Sequence, residues 1–314
     1  MQNRTLACWP AAALFLAAGC GVAGFDSFAG PQRFKQEFHY SYDLAPGGRL
    51  SLDNFNGGVE IIGWEKNAVD ISGVKYASTE DLLKQVQVEI NALPEEIRVR
   101  TIHPSGRRGG SGARYVLRVP HRTLLDRIQT TNGSIRAESV QGGARLTTTN
   151  GSVHALKLRG ELDIQTTNGA IEATGQEGAA RLHTTNGAVN VDGLRGALDA
   201  STTNGRIRAR ILTIQAGQRL RALTSNGSIE LTVESFKDND VRASTSNGSI
   251  TLRLPAGLNA RLRAATTNSN ITTGFDVQAH GGTLTKKRLD AQVGAGGPLI
   301  ELTTTNGSIK ILKL

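Results

Sequence analysis

From residue 144 onward, apolar and polar positions alternate in short runs, and each run breaks at the same kind of turn. Leu146 and Thr148 lead to Asn150-Gly151, and Val153 and Ala155 follow. Ile164 and Thr166 lead to Asn168-Gly169, and Ile171 and Ala173 follow. Period-two alternation bounded by turn residues predicts half-buried β-strands. The asparagine of the turn recurs at Asn132, Asn150, Asn168, Asn186, Asn204, Asn226, Asn247, Asn268 and Asn306. The first four intervals are 18 residues, the next three are 22, 21 and 21, and the last is 38. A second glycine turn follows nine residues after the first, as Gly151 to Gly160 and Gly169 to Gly178.

Asn-Gly between alternating runs is by itself a hairpin signal. The fixed period favours another arrangement, because like residues recur at like positions, as stacking coil on coil requires. The pattern predicts an all-β fold: a right-handed parallel β-helix, or solenoid, of about 18–22 residues per coil. The handedness follows from the crossover rule. About nine coils spaced by about 4.8 Å would make a rod of roughly 45 Å.

The aliphatic positions mark the interior. The same period places each Asn and one Thr of Thr-Thr-Asn beside them, where a buried amide needs a partner. Stacked amides can satisfy one another from coil to coil. A structural ladder is therefore expected at Asn132, Asn150, Asn168, Asn186, Asn204, Asn226, Asn247 and Asn306. On the outside, Arg145, Asp163, Arg181 and Asp199 share one position in successive coils and would pair in alternation. Insertions around Ile211 to Gln218 and Ser235 to Asp240 lengthen one corner, and insertions at one face of a repeat can mark a binding side. The 38-residue interval holds either a coil without Asn-Gly or one large excursion.

Four segments follow from these patterns: a leader at 1–19, a tether at 20–47, a divergent coil with a small α+β cap at 48–127, and the repeats at 128–314. The divergent coil is Leu50 to Ile61, with Asn56-Gly57 at its turn. In the cap, Ala68 to Ala77, Val86 to Ile90, Ile97 to Ile102 and Tyr115 to Val119 are strand-like, and Ser78-Thr79-Glu80-Asp81 starts a short helix. His103 to Ala113, rich in glycine, predicts a flexible loop.

Composition sharpens this picture. Aromatics are 4% and glycines number 37, which suits a narrow aliphatic interior. The net charge of +9 is spread along the chain, apart from Arg107-Arg108 and Lys286-Lys287-Arg288. No aromatics are interleaved with the basic residues for base stacking, so nucleic acid is not expected as a partner. Leu6 to Ala18 is apolar but too short to span a bilayer, and Arg4 precedes it, as in an export signal. Leu16-Ala17-Ala18-Gly19-Cys20 resembles a bacterial lipoprotein signal. The resemblance implies lipid attachment at Cys20, and Gly21 implies the outer membrane, with the protein facing periplasm or cell surface. The other reading is an ordinary cleaved signal that leaves a soluble protein. Cys8 lies inside the leader, so the remaining chain forms no internal disulfide.

Candidate chemistry is sparse. His39, His103, His121, His154, His183 and His280 show no metal-ligand spacing, and no nucleophile elbow, P-loop or calcium nonapeptide occurs. Asp163 and Asp199 form a conceivable acid pair, but two coils would part them by roughly 9–10 Å, at the wide end for a glycosidase. Catalytic residues, metal ligands and cofactors are thus not expected.

Gly63-Trp64, Arg118-Val119-Pro120 and the repeated Thr-Asn-Gly-Ser-Ile resemble a bacterial family of unknown function labelled "putative adhesin", with toastrack-like relatives proposed as envelope-stress scaffolds. The resemblance implies a non-enzymatic, adhesin-like or scaffolding surface, anchored to the membrane through Cys20. An envelope protein or a polysaccharide would be its partner. The alternatives are an envelope-stress signalling partner and a carbohydrate-active β-helix enzyme. Nothing in the sequence sets the oligomeric state.

Overall fold

A computed structural model of the chain describes residues 34–103, 110–279 and 285–314. The described residues form two sheets, of 13 and 14 strands, and one short helix. Each coil gives one strand to each sheet. Ala144–Asn150 lies in one sheet and Val153–Leu156 in the other, and the next coil repeats this with Leu162–Asn168 and Ile171–Thr174. The strands pair in parallel, with Leu146 beside Ile164, Asn150 beside Asn168 and Val153 beside Ile171. The 18-residue period is thus one step along both sheets. Side chains from both sheets meet in an interior of Leu, Ile, Val and Ala, and Leu146, Ile164, Leu182 and Ala200 form one fully buried row. The parallel solenoid expected from the repeat is the observed architecture.

The asparagines correct the expected facing. Asn132, Asn150, Asn168, Asn186, Asn204, Asn226, Asn247 and Asn306 are all exposed. Thr148, two residues before Asn150, is the last buried residue of its strand, and Thr149 and Asn150 both face solvent. The pleat that assigns faces by alternation ends at that threonine, because the chain is already turning the corner. The threonine row carries the buried hydrogen bonds instead. Thr148, Thr166, Thr184 and Thr202 each donate Oγ1 to the carbonyl of the corner glycine one coil back, at 2.9–3.0 Å.

The corner glycine is needed for closeness and not for a left-handed backbone. Gly187 has no positive φ, but a Cβ there would lie 2.0 Å from the carbonyl oxygen of Gly169. The second-turn glycine is different: Gly178 has φ of 120°, and Gly160 has φ of 116°. The long corners also knit together. Asn239 is fully buried and donates to the carbonyls of Gln215 and Gln218, one insertion bracing the other.

The ends depart from chain order. The described N-terminal elements are β1 (Phe34–Asp43), β2 (Arg49–Asp53), β3 (Val59–Trp64), β4 (Ala68–Ala77), α1 (Glu80–Gln85), β5 (Gln87–Leu93), β6 (Glu96–Ile102), β7 (Ser111–Pro120), β8 (Leu124–Asn132) and β9 (Ile135–Glu138). β2 and β3 make the divergent coil and β6 and β7 make another coil outside it, after which the chain returns so that β8 and β9 lie on its inner side. β5, β4 and β1 then close this end as antiparallel strands. Thr79 caps α1, accepting from the Leu82 amide at 3.3 Å. Two expectations fail here. Residues 34–43 are a ten-residue strand and not part of a tether, because Phe34, Phe38, Tyr40 and Tyr42 alternate with polar residues on one face. Ser111 to Ala113 belong to β7 and not to a loop, while residues 104–109 of that expected loop lie outside the described residues.

The C-terminal end is interleaved in the same way. Leu299–Thr304 and Ile309–Lys313 insert between the coil of Val241–Thr245 and Ile250–Leu254 and the coil of Ala260–Thr266 and Ile271–Thr273. The 38-residue interval is therefore an excursion: the chain skips one level, forms the outermost coil, adds the antiparallel strands Gln278–Ala279 and Arg288–Val293, and returns to fill the gap. Among the described residues the stack has eleven coils and not about nine.

Candidate functional site

Two surfaces and one end concentrate the chemistry. The outward row on the 14-stranded sheet runs Arg145, Asp163, Arg181, Asp199, Arg221, Arg242, Glu301, Arg263 in spatial order. Signs alternate except where Arg221 meets Arg242. There the two guanidiniums turn apart, Arg221 to Asp199 at 3.1 Å and Arg242 to Glu301 at 3.5 Å. A shallow groove of about 610 Å³ runs across this region over Ala180, Leu198, Leu220 and Val241. It is lined by Arg181, Arg219, Arg221 and Arg242 and by equally many acids, Glu161, Asp199, Asp240 and Glu301. Opposite charges thus neutralise one another along its length. Asp163 and Asp199 stand on either side of the Arg181 strand and lean to different arginines, Asp163 to Arg145 at 3.7 Å and Asp199 to Arg221. Exposed pairs of this kind contribute little each, roughly 0–1 kcal/mol.

The asparagines form a continuous external ladder at the Asn-Gly corner. Nδ2 of each donates to Oδ1 of the neighbour below, at 2.6–2.9 Å, from Asn132 to Asn56 up through Asn150, Asn168, Asn186, Asn204, Asn226 and Asn247. Asn306 then bonds Asn247 at 2.7 Å, and Asn268 bonds Asn306 at 2.6 Å. The order along the ladder therefore follows space and not sequence. Asn54, which stands where the repeats have their buried threonine, donates instead to the carbonyls of Ala113 and Gly57.

The N-terminal end holds all four tyrosines and most of the other aromatics among the described residues. Phe38 meets Tyr115 edge-on with ring centroids 5.4 Å apart, and the Tyr115 hydroxyl lies 2.6 Å from Thr101 Oγ1. Burial pushes the Tyr115 phenol up to about 12, with the Thr101 hydrogen bond pulling the other way. Burial also raises Tyr42 and Tyr76 above the usual phenol value. Lys75 donates to the Val86 carbonyl at 3.1 Å, and burial lowers its ammonium below the ordinary lysine value. A recess of about 440 Å³ opens between β1 and β5, lined by Phe38, Tyr40, Lys75 and Val88 among others.

The histidines scatter. His39 pairs with Asp70 at 2.7 Å, His121 lies 2.7 Å from the Ser139 carbonyl, His154 contacts Glu172 at 3.0 Å, and His183 contacts Ser201 at 2.8 Å. His154 and His183 lie on different sheets. Among the described residues no group of three His, Cys, Asp or Glu is placed to hold a metal. Nor is any described helix long and apolar enough to cross a membrane. Cys20, Arg107-Arg108 and His280 lie outside the described residues. The Lys286-Lys287-Arg288 run sits on the C-terminal excursion, where Lys286 and Lys287 offer carbonyls to the Ile271 and Thr266 amides. Sequence reasoning missed the aromatic face of β1; its signal was the alternation from Phe34 to Tyr42.

Comparison with known proteins gives one family model, Toastrack DUF4097, which matches residues 114–312. Comparison with curated proteins finds no match. Among solved structures, a "putative adhesin" of Bacteroides fragilis NCTC 9343 is 13% identical, with 91% of this chain and 100% of that chain covered and a TM-score of 0.45. A "putative adhesin" of Parabacteroides merdae ATCC 43184 is 11% identical over 89% and 96% of the two chains, with a TM-score of 0.46. A "putative cell adhesion protein" of Clostridium sporogenes ATCC 15579 is 12% identical over 89% and 100%, with a TM-score of 0.26. Likeness at this level transfers no activity to the present chain.

Proposed function

The chain belongs to the Toastrack DUF4097 family, and from that premise we propose that it is a cell-envelope protein that works as a rigid, non-enzymatic surface, adhesin-like or scaffolding. One observation carries this reading. Among the described residues eleven coils share an aliphatic interior and lay their outward residues out in rows on two faces, so that chemistry set in one coil recurs along the rod. A surface of that kind offers many weak, repeated contacts, which suits a polymeric or clustered partner. An envelope protein or a polysaccharide is the partner that fits an exported rod. The lipoprotein-like Leu16-Ala17-Ala18-Gly19-Cys20 supports anchoring by lipid at Cys20, in the outer membrane.

Two experiments test this. Cys20→Ser should move the protein from the membrane fraction to the soluble fraction, and an unchanged distribution would rule out the lipid anchor. A glycan array combined with a polysaccharide-degradation screen on the Cys20→Ser chain should show binding without product release. Release of sugar products would establish an enzyme and overturn the reading.

A further inference from the structure

We propose that β1 is a docking edge for a second copy of this chain, and that two copies pair antiparallel through it. Among the described residues the two sheets end in four edge strands. Two are short, Ile271–Thr273 and Gln278–Ala279 with three and two residues, and β5 has seven. β1 has ten residues, paired with β4 in an unbroken register from Phe34 against Ala77 to Asp43 against Ala68. It contains no proline and no bulge, two of the devices that blunt an edge, and its charges lie on one face only. Its far side leaves alternate backbone N–H and C=O groups without a strand partner among the described residues.

The side chains of β1 say which strand fits there. Phe34, Gln36, Phe38, Tyr40 and Tyr42 share the inner face, and Lys35, Glu37, His39, Ser41 and Asp43 the outer one. Phe34 and Tyr40 are 38% and 40% exposed, two of the four large apolar side chains exposed among the described residues. A two-fold axis perpendicular to the sheet brings like faces together in an isologous pair. Centred on Phe38, that pairing sets Phe38 against its own copy, Phe34 against Tyr42, and Gln36 against Tyr40. On the outer face it sets Glu37 against His39 and Lys35 against Ser41, so Lys35, Glu37 and His39 each meet an opposite or neutral partner. Moving the centre one residue pair toward the N-terminus sets Glu37 against Glu37, and moving it two pairs the other way sets Glu37 against Asp43. Moving it one pair that way sets Lys35 against Asp43 and Glu37 against Ser41, so the strand is complementary to itself in two neighbouring registers, and only the one centred on Phe38 sets Glu37 against His39. One strand pair is a small interface, so the dissociation constant should be on the order of 10 μM.

Sedimentation velocity on the full chain with Cys8→Ser and Cys20→Ser excludes disulfide and lipid as the link. That chain should pass from monomer to dimer across this concentration range. Glu37→Lys sets a cation against His39 of the other copy at two symmetric places and should weaken the dimer by about tenfold, while Glu37→Gln should weaken it less. His39→Glu should also weaken it. An equimolar mixture of the Glu37→Lys and His39→Glu chains should restore association, because the new lysine then faces the new glutamate and the remaining His39 faces the remaining Glu37. His39 also bonds Asp70; if its variant fails to fold, Glu37→Lys against Glu37→Gln decides the matter alone. A chain that stays monomeric tenfold above this range, or a dimer indifferent to Glu37→Lys, would overturn the proposal.

Discussion

Between residues 144 and 233 the chain and the rod run in step. Each coil lies beside the coils that precede and follow it in sequence, and corresponding residues differ little from level to level. At the two ends the chain skips a level and comes back to fill it: the coil of β2 and β3 lies between two later coils, and the last residues of the chain lie inside the stack. The same corner motif serves both regions, with its exposed asparagine and close-approaching glycine. The motif therefore says that a coil stacks, but not which coil it stacks on. Order at the ends comes from particular side chains. In simple chain order Arg221, Arg242 and Arg263 would be three successive neighbours; the inserted strand puts Glu301 between the last two. A stack whose outermost coil precedes its neighbour in the chain cannot close by one-way propagation in chain order.

The largest expected effect breaks the C-terminal interleaving outright. Removing residues 299–314 takes out Ile300, Leu302, Ile309 and Ile311, all fully buried. At about 1.5–3 kcal/mol each, the loss is roughly 6–12 kcal/mol, the scale of a whole domain's stability. Residues 241–293 should then become protease-sensitive while the middle coils stay protected; uniform protection would contradict the observed order. In the middle, Gly187→Ala drives a methyl into the Gly169 carbonyl, backbone against backbone. Two coils must part, at a cost of about 3 kcal/mol, read as a fall in the urea midpoint.

A pH scan separates the N-terminal end from the middle. All four tyrosines lie between residues 40 and 115. The Tyr115 phenol is held near 12 when folded, against about 10 when unfolded. Above pH 10 the unfolded chain loses this proton first, so stability falls as pH rises from 10 toward 12, by roughly 2–3 kcal/mol at most. Phenolate absorbance and loss of the N-terminal end should coincide, with the middle coils melting later. The smallest effect compares two rows of one corner. Thr184→Val removes a buried donor to Gly169 and should cost about 1–2 kcal/mol, while Asn186→Leu, on the exposed ladder, should cost about 0.5 kcal/mol. Equal thermal midpoints would erase the distinction between the rows.

These contrasts also separate what is legible in the sequence from what is not. The parallel stack and the register of Arg145 with Asp163 follow from period, because a period fixes which residues recur together, and the coil at Asn56 follows from alternation about its Asn-Gly turn. The facing of the asparagines does not, because alternation holds only while the strand is pleated and the pleat stops at the threonine. The coil of β6 and β7 was hidden because its turn lacks Asn-Gly. Residues 299–313 carry the same corner motif as the other coils, so the motif could not say between which coils they return, and the aromatic face of β1 repeats nowhere. The partner of the outer rows is likewise not written in a pattern whose charges are matched within the chain itself.

The spatial order at the C-terminal end can be read from paired cysteines on the outward face. In a chain with Cys8→Ser and Cys20→Ser, Ser244→Cys with Thr303→Cys places two thiols on adjacent strands, within the roughly 4.4–6.8 Å Cα spacing a disulfide spans. Ser244→Cys with Ala265→Cys places them two strands apart, at roughly 10 Å. Mild oxidation should link the first pair and leave the second free. A disulfide in the second pair and none in the first would mean that the coils stack in chain order, and would contradict the interleaved rod.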